Sequence, residues 1–187
     1  GFIFLGLKSS KQPIEPQTGA VDVSTLEWPS EQVKKETISE SGKGYEISAN
    51  YPITKGESIS GIFHEFVLSA IDTFKTDTAV SEGVELPEGL TMTLDISYKE
   101  EKHATVDTYL FLVYSDTGGA HGLQATKTFS FDSTGKQVAV ADLFTNGAKG
   151  LGVVADYVQK DLMKREYADA DWIKEGAAPI AENYANF

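Results

Sequence analysis

The hydrophobic period of the chain switches from helical to strand spacing between residues 59 and 98, and that switch limits the folds open to it. In ESISGIFHEFVLSAIDTF the apolar residues Ile59, Ile62, Phe63, Phe66, Val67, Ile71 and Phe74 recur at intervals of three and four. That spacing makes one stripe along an amphipathic helix. Ser58 stands where an N-cap is expected. Pro87 and Gly89 then punctuate the chain, and LTMTLDISY alternates Leu90, Met92, Leu94, Ile96 and Tyr98 with Thr91, Thr93, Asp95 and Ser97. A period of two reads as a strand with one face buried and the other in water. A striped helix beside half-buried strands predicts helices laid on a sheet.

The flanking segments extend this pattern. KKETISESGKGYEISANYPI reads as two short strands around Gly42 and Gly44, ending at Pro52. KEEKH is the expected turn after LTMTLDISY, and ATVDTYLFLVY is a further strand, apolar on both faces toward its end and therefore interior to the sheet. LQATKTFSFD alternates again, with Leu123, Ala125, Phe129 and Phe131 on one side. DSTGK is a turn signal, with Gly135 suited to a left-handed conformation. QVAVADLF follows as a short strand or strand-to-helix link. A second helix is predicted from about Ala148 to Lys164, on a stripe of Leu151, Val154, Ala155, Val158 and Leu162. The tail WIKEGAAPIAENYANF reads as loop. The fold class is α+β: an antiparallel sheet with two amphipathic helices packed on one face.

Length and composition set the outer bounds. With 187 residues, 41% of them apolar and 24% charged, the chain can bury a core and form one domain, with or without a tether. Its 16 basic and 28 acidic residues leave a formal charge of −12. An acidic surface excludes nucleic acid as a partner and favours cations or basic proteins. Without cysteine there is no disulfide, thiolate nucleophile or Cys–zinc site. The opening GFIFLGL, residues 1–8 with Lys8, reads either as the end of a membrane anchor or as an edge strand or cloning remnant. It is far short of the roughly 20 residues that cross a bilayer, and a chain starting at Gly1 is expected to continue upstream. Residues 9–30, polar and proline-bearing, read as an extended tether and favour the anchor. The packed domain is then residues 31–187.

Candidate chemistry is sparse. His64 precedes Glu65 on the first helix, but HEFVL lacks the second histidine of a zincin pair, so His64 reads as structural. His103 falls in a charged turn. YSDTGGAHG holds the one suggestive group: Asp116 could orient the His121 imidazole, as a general base or a metal ligand requires. No nucleophile elbow, second histidine, calcium loop or phosphate loop accompanies them. The preferred reading is a tight hairpin in which Gly118, Gly119 and Gly122 supply backbone freedom and His121 bonds to backbone or packs over the sheet end. No catalytic residue, metal site or cofactor is assigned. Tyr114, Asp116, Gly118, Gly119 and His121 are the candidates for ligand contact. Most of the aromatics (Tyr109, Phe111, Tyr114, Phe129, Phe131, Trp172, Tyr184) read as core, and an exposed subset, which periodicity does not single out, would suit sugar stacking or a protein contact.

Taken together, ISANYPI, SISGIFHEFVLSAIDTF, YSDTGGAHG, TKTFSFDSTGKQVAVADLF and GAAPIAENYANF resemble, in order and spacing, a bacterial domain family over residues 45–187. It occurs in the extracytoplasmic part of RsiV-type anti-sigma factors and ahead of the catalytic domain in PdaC-type peptidoglycan deacetylases. The resemblance implies an α+β fold, a place outside the cytoplasmic membrane (tethered or secreted), and binding rather than catalysis. It implies lysozyme or peptidoglycan as partner, and the deacetylase module's metal motifs have no counterpart here. The family pattern continues past the point matching ENYANF, so either the last strands of the sheet are expected to be missing or another element completes it. Binding to a basic lysozyme would draw on loop carboxylates such as Glu100, Glu101 and Asp116. The alternatives are an enzyme acting on cell-wall glycan through Asp116 and His121, and a structural part of an envelope assembly.

Overall fold

The computed structural model describes residues 34–80, 89–166 and 168–187. The anchor at 1–8 and the tether at 9–30 lie outside the described residues, as does Pro87. Two strands, β1 (Lys35–Gly42) and β2 (Tyr45–Pro52), form a hairpin with Gly44 at φ +82° in its turn. The helix α1 (Glu57–Thr78) follows, and then a three-stranded meander, β3 (Met92–Lys102), β4 (Val106–Asp116) and β5 (Leu123–Asp132). The five strands lie in sequence order in one sheet. The class is α+β, as the spacing predicts. One pair departs from the antiparallel expectation: α1 carries the chain back across the sheet, so β2 and β3 run parallel, with Tyr45 opposite Met92 and Ala49 opposite Ile96.

The core lies between α1 and one face of the sheet. Phe63, Val67, Ile71 and Phe74 are buried against Ile47, Ala49, Leu94, Ile96, Phe111 and Phe131. Phe63 is its centre: its ring stands 4.7–5.9 Å from those of Tyr109, Phe111, Phe129 and Phe131 in tilted and edge-on geometry, which suits the ring quadrupoles. Glu40 fastens β1 to the last turn of α1, accepting from Lys75 Nζ at 2.6 Å and from the Tyr45 hydroxyl at 2.8 Å.

Local details differ from the sequence reading, each for a physical reason. α1 begins earlier than Ser58, at a Gly56 N-cap, because Ser60 Oγ accepts from the Thr54 amide and braces the entry to the helix. KEEKH does not turn the chain until His103, since β3 runs on to Lys102 opposite Asp107. Leu123 is 67% exposed, because the start of β5 extends past the end of the core. QVAVADLF contributes a single bridge from Gln137 to Phe131 and then a 3₁₀ turn at Val140–Leu143.

The second amphipathic helix, α2 (Gly147–Leu162), is capped by Asn146, whose side chain accepts from the Lys149 amide. It finds its main neighbours in that 3₁₀ turn and in α3 (Ala170–Gly176), not beside α1 on the sheet face. α3 lies within the tail read as loop; Asp169 caps it through the amides of Asp171 and Trp172. The outer edge of β5 is partly occupied: Val138 N–H donates to Ser130 O, and Thr128 N–H to Asn186 Oδ1.

Candidate functional site

The loop between β4 and β5 brings the sequence candidates to one end of the sheet without assembling a catalytic pair. Asp116 Oδ1 accepts from the Gly118 amide at 2.9 Å, while His121 Nδ1 donates to the Gly122 carbonyl at 3.2 Å. Carboxylate and imidazole are thus committed to separate backbone groups. Gly118 has φ +82°, whereas Gly119 has an ordinary φ and open space around it. Gly122 serves in a third way. A Cβ there would collide with the ring and hydroxyl of Tyr114, so the bare backbone is what lets that ring lie across the loop.

Tyr114 is 42% exposed and sits on the face of the sheet opposite α1. Strand register extends a row from it across the sheet. Gln124 on β5 pairs with Tyr114 on β4, Tyr114 with Asp95 on β3, Asp95 with Ser48 on β2, and Ser48 with Ser39 on β1. Directly paired residues share a face. A second row, one step toward the glycine loop, holds Ser41, Glu46, Thr93 and Asp116. Between these rows the short serine side chains leave a shallow depression of about 480 Å³ walled by Tyr114. Glu46 and Asp95 project from it and have no ion-pair or hydrogen-bond partner among the described residues.

Asp95 was legible as a wet-face residue from the alternation of β3. Its neighbourhood was not, because a parallel register across α1 leaves no local trace in β1 and β2.

A larger cleft, of about 960 Å³, opens at the far end of the sheet, between the start of α1 and the turn at Asp132–Gly135. Several of its polar groups are already engaged: Asp132 accepts from the Thr134 hydroxyl and amide and from the Lys136 amide. The Glu100 side chain is only 13% exposed and lies 3.4 Å from Lys102 Nζ. It also hydrogen-bonds Tyr109, whose hydroxyl is pushed above the ordinary tyrosine range by burial first and by the Glu100 charge second. Glu100 is therefore not the exposed carboxylate the sequence suggests. Glu101 is exposed, and it meets His103 at 3.1 Å. At mid-sheet, His64 Nδ1 lies 2.7 Å from the Tyr51 hydroxyl, the structural role expected of it. Among the described residues no group of three or more His, Cys, Asp or Glu could hold a metal ion, and no helix is long and apolar enough to cross a membrane.

No family model matches the chain. It is 27% identical over 154 residues to the peptidoglycan-N-acetylmuramic acid deacetylase PdaC of Bacillus subtilis (strain 168). The match takes in 81% of this chain and 33% of that protein. A solved DUF3298 family protein from Pseudomonas aeruginosa PAO1 superposes with a TM-score of 0.50 at 15% identity, over 78% of this chain and 74% of that one. The chain is homologous to part of PdaC and shares the DUF3298 fold. A second DUF3298 structure, from Bacteroides fragilis NCTC 9343, gives a TM-score of 0.40 at 14% identity, over 71% and 68% of the two chains. The chain spans only a third of the length of PdaC, and the PdaC-like resemblance read from the motifs now has a sequence match behind it.

Proposed function

We propose that this PdaC-like domain is a non-catalytic binding module of the bacterial cell envelope. It works outside the cytoplasm, held there by an N-terminal anchor, on peptidoglycan or on a basic wall-active protein of the lysozyme kind. The observation that carries the reading is the similarity to a region of a peptidoglycan deacetylase. The separate backbone commitments of Asp116 and His121 support binding over catalysis. The charge of −12 supports a cationic partner, because its field speeds encounter with positive charge.

Two measurements test it. Purified protein should sediment with insoluble peptidoglycan sacculi, or bind a basic lysozyme by calorimetry at physiological salt more tightly than an unrelated basic protein. Failure of both, with lysozyme and control equally weak, would mean generic electrostatics and overturn the reading. Peptidoglycan turnover abolished by His121→Ala would replace it with an enzyme.

A further inference from the structure

We propose that the sheet face around Tyr114 binds a glycan strand carrying free amino groups. The inference rests on the wall-binding reading and narrows it to one surface and one ligand chemistry. The depression is floored by small hydroxyl side chains, Ser39, Ser41 and Ser48, and walled by an exposed aromatic ring. That combination suits a pyranose: its C–H face lies against the ring of Tyr114 while its hydroxyls meet protein hydroxyls and carboxylates. The support is preorganised. Four hydrogen-bonded strands carry the depression, and the bare backbone of Gly122 seats the Tyr114 ring, so little side-chain freedom is lost on binding.

Charge selects among glycans. Glu46 and Asp95 are exposed and without a partner among the described residues, and no Lys, Arg or His lines the depression. An ammonium group on the sugar would neutralise these carboxylates; an acetylated amide would leave them as they are, and an anionic polymer would be repelled. A protein partner fits less well, because interface cores are apolar and depleted in charge, whereas this row has one aromatic among hydroxyls and carboxylates.

The test uses the full chain and a chitosan oligomer, at physiological salt and a pH below the pKa of the sugar amine. Its fully N-acetylated counterpart and an oligolysine of equal charge serve as controls. The chitosan oligomer should bind about tenfold more tightly than the acetylated one, as two exposed ion pairs allow. Asp95→Asn and Glu46→Gln should each weaken chitosan binding by about two- to fivefold and leave the acetylated oligomer unaffected. Tyr114→Ala should remove binding of both, Tyr114→Phe should retain it, and the surface control Glu182→Gln should change nothing. The substituted side chains are at the surface, so unchanged melting temperatures would confirm that the variants fold. Equal affinity for the two oligomers, or oligolysine binding that matches chitosan, overturns the proposal. So does chitosan binding that ignores the substitutions. Retention on sacculi with no response to chitosan overturns this inference alone, and absence of retention on sacculi and of lysozyme binding overturns the wall-binding reading itself.

Discussion

Three glycines within five residues do three different things. Gly118 turns the chain at φ +82°, a region where a Cβ meets the following carbonyl; Gly119 has neither strain nor a near neighbour; Gly122 makes room for a ring. Sequence composition treats them alike, since glycine signals freedom without saying whether backbone or space needs it. Their substitutions should therefore separate. Gly118→Ala should cost about 1–2 kcal/mol, seen as a melting temperature lower by roughly 2–4 °C per kcal/mol for a chain of this size. Gly119→Ala should leave melting unchanged or raise it slightly, because the loss of unfolded-state freedom is its main effect. Equal losses at both positions would refute the distinction.

Among the elements, the link from β1 to α1 through Glu40 and Lys75 reports on pH. The hydrogen bond from Lys75, and after it the one from Tyr45, holds the Glu40 carboxyl below its ordinary 4.5. A carboxylate favoured in the folded state contributes stability that is present above the unfolded value and withdrawn as pH falls below it. Glu40→Gln should thus flatten the acid side of the stability profile below about pH 4.5 and lower the plateau above it modestly, since the pair is partly exposed. Urea midpoints across pH check this; parallel acid limbs would contradict it. Elements with a long stripe or alternation, such as α1, β3 and β4, were legible because burial writes a period into the sequence. α3 was not: its seven residues expose Trp172 to 80% and leave no stripe to read. The candidate face was half legible, with Tyr114 and Asp116 visible in their own loop. Glu46 and the serines of β1 and β2 join them only through the parallel register.

For the whole molecule, the buried phenols set the alkaline limit as the acid pair sets the other. Burial, then the Glu36 hydrogen bond, pushes the Tyr51 hydroxyl up to about 12, and Tyr109 is raised as well. A raised acid is stable as the neutral phenol, so this contribution is complete below the ordinary value of 10 and is lost as pH climbs through the folded value. Near-ultraviolet titration should show Tyr51 and Tyr109 ionising last, after Tyr45, Tyr98 and Tyr184, which are also raised, together with loss of structure, and moving back toward 10 in denaturant. Ionisation of all eight in one ordinary step would contradict it. The parallel pairing of β2 with β3 has a kinetic consequence too. The β1–β2 hairpin and the β3–β5 meander each close over a few residues and can form in microseconds. Joining them brings together residues roughly fifty apart in sequence, a loop closure costing about 3 kcal/mol of entropy. We predict that the slow event in folding is the docking of the hairpin and the meander along this five-residue seam, with α1 as the strap that draws it closed.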